Sequence, residues 1–206
     1  MNEHWEVLPR STAETWPVLR NISGIDKFYL AGGTGLALQI GHRLSRDLDF
    51  FSADRFEVEE LISDLSALGN FQLEMKAKQS VTGIFNQTKL SFLGYPYSLL
   101  KKTIVIRAVR VADIADIACM KIDAISTRGA KRDFIDLFFI AQKAPLGLLL
   151  KSFEQKYASL RYNLMHVKKS LVYFDDAEAD MMPEMLKSSD WATIKAFFQE
   201  EIKKLI

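Results

Sequence analysis

Residues 28–52 read FYLAGGTGLALQIGHRLSRDLDFFS and decide the fold of this 206-residue chain. A short apolar run at residues 28–31 comes before a turn at residues 32–35 that contains three glycines. The spacing of the apolar residues is that of a strand before the turn, that of a helix after it, and then that of a strand again. This spacing predicts a helix over residues 36–44 and a strand over residues 47–51. The stretch therefore predicts a strand–turn–helix–strand unit.

Two aspartates of the second predicted strand form a candidate metal site. Asp47 and Asp49 are two residues apart, so their side chains share one face of a strand, while Leu48 and Phe50 point to the other. Strand geometry places the two carboxylates roughly 6 to 7 Å apart, where they repel each other by about 2 to 3 kcal/mol unless a positive charge lies between them. Hard divalent cations prefer carboxylate oxygens, so the pair is predicted to bind a divalent cation.

The glycine turn is a candidate phosphate site. Backbone N–H groups of Gly32, Gly33 and Thr34 come at the predicted start of a helix, where an anion is favoured and no bulky side chain blocks its approach. We therefore expect a metal site and a phosphate site one short helix apart.

Composition narrows the class of protein. The net charge of +1 and the 49% hydrophobic content are ordinary for a soluble globular protein. Cys119 is the single cysteine, which excludes an intrachain disulfide, and its apolar helical surroundings predict a core position. No apolar run approaches the roughly 18 residues of a membrane span, and the start MNEHWEVLPR lacks a signal-peptide pattern. These features predict a cytoplasmic protein without membrane contact.

Predicted strands dominate the first half of the chain and predicted helices the second. A mixed sheet over residues 1–112 is expected to form an α/β core, and residues 113–206 a helical region packed on it, which makes an α+β protein. The last predicted strand of the core is residues 103–111. Within the helical region, residues 148–172 are predicted to be helical.

Lys121 interrupts an apolar stripe predicted over residues 113–128. It lies four residues from both Ile117 and Ile125, in the middle of the core-facing side. Either its stem carries the ammonium to the edge of the stripe, or the ammonium is held over the core by a phosphate or a carboxylate.

The first stretch resembles a known motif. GGT at residues 32–34, a helix, HRLS at residues 42–45 and DLD at residues 47–49 resemble the first motif of polymerase-β-type nucleotidyltransferases. More narrowly, they resemble the AbiEii toxin family, the nucleotidyltransferase half of type IV toxin–antitoxin pairs.

Later segments extend this resemblance from about residue 25 to the end of the chain. KIDAI at residues 121–125, RG at 128–129 and RDFIDL at 132–137 are similar to the second signature of that family. SLVYFDDAE at residues 170–178 is similar to its C-terminal region.

The resemblance implies an enzyme, dependent on Mg²⁺ or Mn²⁺, that transfers a nucleotide from an NTP to an acceptor hydroxyl, on RNA and plausibly on a tRNA end. It also implies a cognate antitoxin as partner. It also implies roles for the matched residues. These are Asp47 and Asp49 as catalytic metal ligands; Gly32, Gly33 and Thr34 as the triphosphate-holding turn; Arg43 and Arg128 as phosphate or carboxylate partners; and Lys121 as a phosphate-contacting lysine, with Asp133 or Asp136 as an acid beyond it.

One position departs from the expected pattern. Two-metal transfer usually employs a third carboxylate on a neighbouring strand. Ser91 occupies that position here, and an acid from elsewhere, such as Glu74, is a candidate substitute.

Other families fit the sequence less well. An Asp-x-Asp phosphatase needs its acids at the end of a buried strand, whereas Asp47 and Asp49 open one. A Rossmann reading fails because Leu38 stands where the third glycine belongs, and the P-loop lysine is missing. The aspartates could also form a solvated edge, and Ser91 favours one further alternative, a catalytically silent nucleotide- or protein-binding module.

Overall fold

The computed structural model describes residues 3–205. Its contacts divide the chain into a first unit that ends at Asp113 and a second that begins at Ile114. Residues 1, 2 and 206, which the predicted regions 1–112 and 113–206 include, lie outside the described residues.

The first unit contains a mixed sheet of seven strands in the order β3-β4-β5-β2-β1-β7-β6. Strand pairs β1–β7 and β2–β5 are parallel and the remaining neighbours are antiparallel, as expected for a mixed sheet. The strands are β1 (Tyr29–Leu30), β2 (Leu48–Ser52), β3 (Phe71–Ala77), β4 (Ser80–Phe85), β5 (Thr88–Gly94), β6 (Ile104–Ile106) and β7 (Val109–Val111). The helices of this unit are α1 (Arg10–Leu19), α2 (Gly32–Ile40) and α3 (Val58–Leu68).

Strand β2 lies near the middle of the sheet and alternates as predicted. Leu48 and Phe50 are fully buried, and Phe50 stacks on Phe92 of β5 with ring centroids 5.0 Å apart. Asp49 and Phe51 are half-buried on the other face. Burial of the apolar face therefore determines which way Asp49 points.

Helix α2 differs from its prediction over residues 36–44, because both of its ends lie four residues earlier. Gly41 ends it in the left-handed conformation, with φ +62°, and donates its N–H to Ala37 O at 2.7 Å. The glycine turn is consequently the first turn of the helix itself.

Residues 103–111 form a hairpin, so the prediction of one strand there was wrong. Arg107 and Ala108 turn the chain with φ values of 44° and 68°. Because neither residue is glycine or asparagine, the sequence lacked the usual signal for such a turn. The hairpin between β4 and β5 likewise turns at two residues other than glycine, Asn86 and Gln87, which have φ values of 45° and 70°.

The second unit is helical. Its helices are α4 (Ile114–Arg128), α5 (Lys131–Ala141), α6 (Leu146–Lys156), α7 (Leu164–Ser170), α8 (Asp175–Glu178) and α9 (Trp191–Lys203). The helix predicted over residues 148–172 is therefore two helices, and Asn163 starts the second by accepting hydrogen bonds from the N–H groups of Met165 and His166. None of the described helices is long and apolar enough to cross a membrane.

Two buried features stabilise α4 within this unit. Cys119 is fully buried, as predicted, and burial, with Asp116 nearby, raises the pKa of its thiol to about 12. Asp116 and Lys156 of α6 form an ion pair of 2.7 Å whose two side chains are inaccessible to solvent.

Candidate functional site

The N-terminus of α2 presents backbone donors. The N–H of Gly35 donates to Ala31 O at 3.0 Å, which is the first bond of the helix, so the N–H groups of Gly32, Gly33 and Thr34 precede the helical ladder. Gly32 has a φ of +62°, which a residue with a side chain rarely adopts.

Two charged side chains lie directly against the glycines. A Cβ on Gly32 would lie 3.0 Å from Asp49 Oδ2, and one on Gly33 would overlap Arg43 Nη2 and lie 3.2 Å from Arg43 Cζ. The glycines were predicted to leave room for a phosphate. Instead, Asp49 fills the space beside Gly32 that a Cβ would occupy, and Arg43 fills the corresponding space beside Gly33. Asp49 therefore lies against Gly32, and Arg43 lies against Gly33.

Arg43 is held rigidly. It is only 5% exposed, and its Nη1 donates to Leu44 O at 3.0 Å. A positive charge therefore lies beneath the first turn of α2, next to the donors that the sequence marks as a phosphate site.

The side chain of Thr34 faces into the protein. It is 1% exposed, donates its hydroxyl proton to Asp47 O and lies 2.7 Å from Ser45 Oγ. The hydroxyl of Thr34 is therefore engaged inside the protein, and only its backbone N–H could make the predicted contact with a nucleotide.

Asp47 differs from Asp49 in how it is placed. The strand begins at Leu48, so Asp47 lies outside the β ladder, in an irregular segment of residues 42–47 that we call the lead-in segment. Thr12 of α1 also contacts this segment by donating to Arg46 O at 3.0 Å. No role was predicted for Thr12, or for Ser45 of the HRLS motif, because a single hydroxyl residue carries no signal for such a contact.

The third carboxylate is missing at the position that the sequence indicated. Ser91 of β5 is the direct partner of Asp49 across the parallel β2–β5 pair, which confirms that prediction. Thr82, the partner of Ser91 on β4, is not acidic either. Among residues 3–205, no group of three or more His, Cys, Asp or Glu side chains could hold a metal ion.

Glu74 does not replace the missing acid. It lies on edge strand β3, three strands from β2, which is roughly 14 Å at the usual strand spacing. Its carboxylate lies 3.8 Å from the ammonium of Lys89. The proposal that Glu74 substitutes for a third metal ligand was therefore wrong.

The remaining predicted site residues form a cluster within the second unit. Lys121 Nζ lies 2.8 Å from Asp133 Oδ1 and 2.6 Å from Asp136 Oδ2, and both carboxylates are fully buried. Arg128 adds two bonds to Asp133, of 2.8 and 3.1 Å. Since Lys121 is only 5% exposed, its ammonium is held by carboxylates and does not reach solvent at the edge of the stripe.

Asp133 is ionised more readily than a free aspartate. Burial acts to raise the pKa of this carboxyl, but the positive charges and hydrogen bonds of Lys121 and Arg128 outweigh burial and lower it. The cluster therefore sets the side chains of two basic residues, Lys121 and Arg128, against those of two acidic residues, Asp133 and Asp136.

Comparison with known proteins identifies the family of this chain. The sequence model of the nucleotidyl transferase AbiEii toxin family of type IV toxin–antitoxin systems matches residues 19–106 and 95–204. This chain belongs to the AbiEii family. It is a member of a family of nucleotidyltransferase toxins, as its glycine turn and paired aspartates indicated.

One sequence relative of this AbiEii-family chain matches it over most of its length. An uncharacterised protein of Aquifex aeolicus (strain VF5) is 34% identical over 188 residues, which cover 87% of this chain and 88% of the relative. The match therefore spans both units.

Solved structures share the fold. A putative nucleotidyltransferase from Helicobacter pylori superposes with a TM-score of 0.55 at 19% identity, covering 96% of this chain and 97% of that one. MenT4, a nucleotidyltransferase toxin of Mycobacterium tuberculosis H37Rv, superposes with a TM-score of 0.54 at 14% identity, covering 94% and 84%. The AbiEii-family chain thus has a polymerase-β-type nucleotidyltransferase fold.

Proposed function

We propose that this AbiEii-family chain transfers a nucleotide from an NTP to an acceptor hydroxyl on RNA, plausibly at a tRNA end, and acts as the toxin of a pair with a cognate antitoxin. The observation that supports this most directly is the contact between Asp49 and Gly32. It places a carboxylate against the first turn of α2, so that a metal ligand and backbone donors for a triphosphate are neighbours.

The donor set fits Mg²⁺ or Mn²⁺ that arrives with the nucleotide. Asp47 and Asp49 supply two carboxylates, and Mg²⁺ commonly takes one or two protein carboxylates and completes its shell with phosphate oxygens and water. The bound ion would neutralise triphosphate charge and favour departure of pyrophosphate.

The chain's own residues would position the substrate. The N–H groups of Gly32, Gly33 and Thr34 would bind triphosphate oxygens, and the charge of Arg43 beneath them would strengthen that binding. The acceptor hydroxyl would then attack the α-phosphorus in line and lose its proton to water, while the bond between the α-phosphorus and the oxygen bridging to the β-phosphorus breaks and pyrophosphate leaves.

Lys121, Arg128 and Asp133 stay proposed site residues. The ammonium of Lys121 is held by Asp133 and Asp136 within the second unit. Its phosphate-contacting role is what the family resemblance implies, and it would require one of the three N–H groups of the ammonium to bind a phosphate oxygen.

The test is transfer of label from each α-labelled NTP to total cellular RNA, with Mg²⁺ or Mn²⁺. We expect labelled RNA with the wild-type protein and none with Asp47→Asn or Asp49→Asn. Asp54→Asn, which removes an exposed carboxylate just beyond β2, serves as the matched control and should keep activity. Labelled RNA in the Asp49→Asn reaction would contradict the proposal.

Ser91 favours a second candidate, a silent module that binds nucleotide without transferring it. In that case the protein would bind Mg²⁺–NTP, with loss of binding in Asp49→Asn, but would label neither RNA nor itself under any condition. Label on protein alone would instead identify a protein acceptor.

A further inference from the structure

The two aspartates of the site depend on different structural supports. Asp49 belongs to β2, which pairs with β1 on one side and β5 on the other, so ladder hydrogen bonds determine its position. Asp47 lies one residue before the strand, in the lead-in segment, and needs another support.

That support comes from three hydrogen bonds to consecutive residues of the lead-in segment. The N–H of Ser45 donates to Val7 O at 2.9 Å. Thr12 Oγ1 donates to Arg46 O at 3.0 Å, and Thr34 Oγ1 donates to Asp47 O. The segment is thereby attached at adjacent residues to the N-terminal region, to α1 and to the first turn of α2.

The hydroxyl groups that hold the lead-in segment belong to buried residues. Thr12 and Thr34 are each 1% exposed, so their hydroxyls bond the two carbonyls from the buried side of the segment. Ser45 Oγ, 2.7 Å from Thr34 Oγ1, extends the connection from α2 into the segment. Thr34 is therefore bonded to both the residue that carries the carboxylate and the residue two positions before it.

We propose that Thr34 and Thr12 are positioning residues, whose hydroxyls fix the lead-in segment so that the Asp47 carboxylate meets the metal ion of a bound Mg²⁺–NTP. This inference rests on the proposed nucleotidyltransferase function. It means that α1, through Thr12, helps to position a residue of the site. It also means that the Thr34 side chain positions the segment and does not contact phosphate.

The test compares isosteric and conservative variants. Thr34→Val and Thr12→Val remove the hydroxyl at nearly constant volume, and Thr34→Ser and Thr12→Ser keep it. The matched control is Thr15→Val, since Thr15 is an equally buried threonine of α1 whose hydroxyl bonds to Thr88, at 3.3 Å, and not to the lead-in segment.

The first readout is hydrogen–deuterium exchange of the free protein. We expect Thr34→Val to speed exchange over residues 42–47 by about tenfold, with β2 and β5 unchanged, while the serine variants and Thr15→Val resemble wild type. Unchanged exchange over residues 42–47 in both valine variants would overturn the proposal. If Thr34→Val does not fold, Thr12→Val, which removes a single bond, decides the same question.

The second readout is the Kd for NTP with and without Mg²⁺. We expect Thr34→Val to weaken Mg²⁺–NTP binding about tenfold and metal-free binding less than about twofold, because Asp47 acts through the ion. Equal weakening under both conditions would show a merely structural role and overturn the proposal, as would no weakening. If the wild-type protein binds no Mg²⁺–NTP, the proposed function fails, and the exchange readout alone decides whether the hydroxyls fix the segment.

Discussion

Asp49 and Ser91 are direct partners in the parallel pairing of β2 with β5. A third carboxylate that bridges two metal ions would be expected at Ser91, on the strand beside the paired aspartates. Ser91 is 7% exposed and carries no charge, and strand β5 contains no acidic residue to accompany Asp49 of β2. This arrangement suits an ion that is coordinated largely by the nucleotide.

Ser91→Asp should make the protein's stability depend on divalent cations. Two carboxylates at directly paired positions repel, so we expect a loss of about 1 to 2 kcal/mol in the free energy of unfolding without metal. Mg²⁺ or Mn²⁺ should recover most of this loss. Urea unfolding with and without metal measures both effects, and Ser91→Asn is the uncharged control. A variant that stays equally destabilised in millimolar metal would argue against a metal at this position.

Gly33→Ala should act through Arg43. The new methyl group would overlap the guanidinium, which is buried and must move. We expect about tenfold weaker NTP binding, which corresponds to about 1.4 kcal/mol. In a double-mutant cycle with Arg43→Ala, the second substitution should add little, because the guanidinium is already displaced. Additive losses of affinity would show that Gly33 acts independently of Arg43.

Lys121 and Arg128 should differ sharply in their effect on stability. Lys121→Met would leave two buried carboxylates without their shared cation, which we expect to cost about 3 to 5 kcal/mol. Arg128→Met removes a side chain that is 54% exposed and leaves Asp133 bound to Lys121, so we expect a loss of about 1 kcal/mol or less. Urea unfolding of the two variants makes the comparison. Similar losses would contradict the description of Lys121 as the central cation of the cluster.

Asp133 should make the protein sensitive to acid. Its pKa is lowered in the folded state, despite burial, by Lys121 and Arg128, and lies below the unfolded value of about 3.9. The unfolded chain therefore binds a proton first, so the stabilisation from this carboxylate is present above about pH 4 and is lost as the pH falls through the folded pKa. Asp133→Asn should flatten the acid side of a plot of unfolding free energy against pH.

Asp123 serves as a control, because its pKa is shifted in the opposite direction to that of Asp133. Burial raises its pKa, so its protonation favours the folded state and offsets part of the acid loss. Asp123→Asn should therefore steepen the acid side of the same plot. If both variants change the slope in the same direction, the assignment to Asp133 is wrong.

The sequence by itself determined the local features of the site. Alternation of apolar and polar residues in β2 settles that Asp49 points away from Leu48 and Phe50, because a strand has a side-chain period of two wherever it is placed. The apolar stripe of α4 likewise places Lys121 toward the core. Motifs spread over most of the chain indicated the fold and the nucleotidyltransferase toxin family.

Only the tertiary structure decided what each of these residues contacts. The decisive contacts join residues that are 10 to 34 positions apart in the chain, and no local period encodes such pairs. They are the contact of Arg43 with Gly33 and the hydrogen bonds of Thr12 and Thr34 to the lead-in segment. The hairpin at Arg107 was missed for a related reason, since a non-glycine residue adopts the left-handed conformation there when pairing between β6 and β7 compensates for the strain. Periodicity is set by neighbours along the chain, whereas partners are set by packing between distant segments.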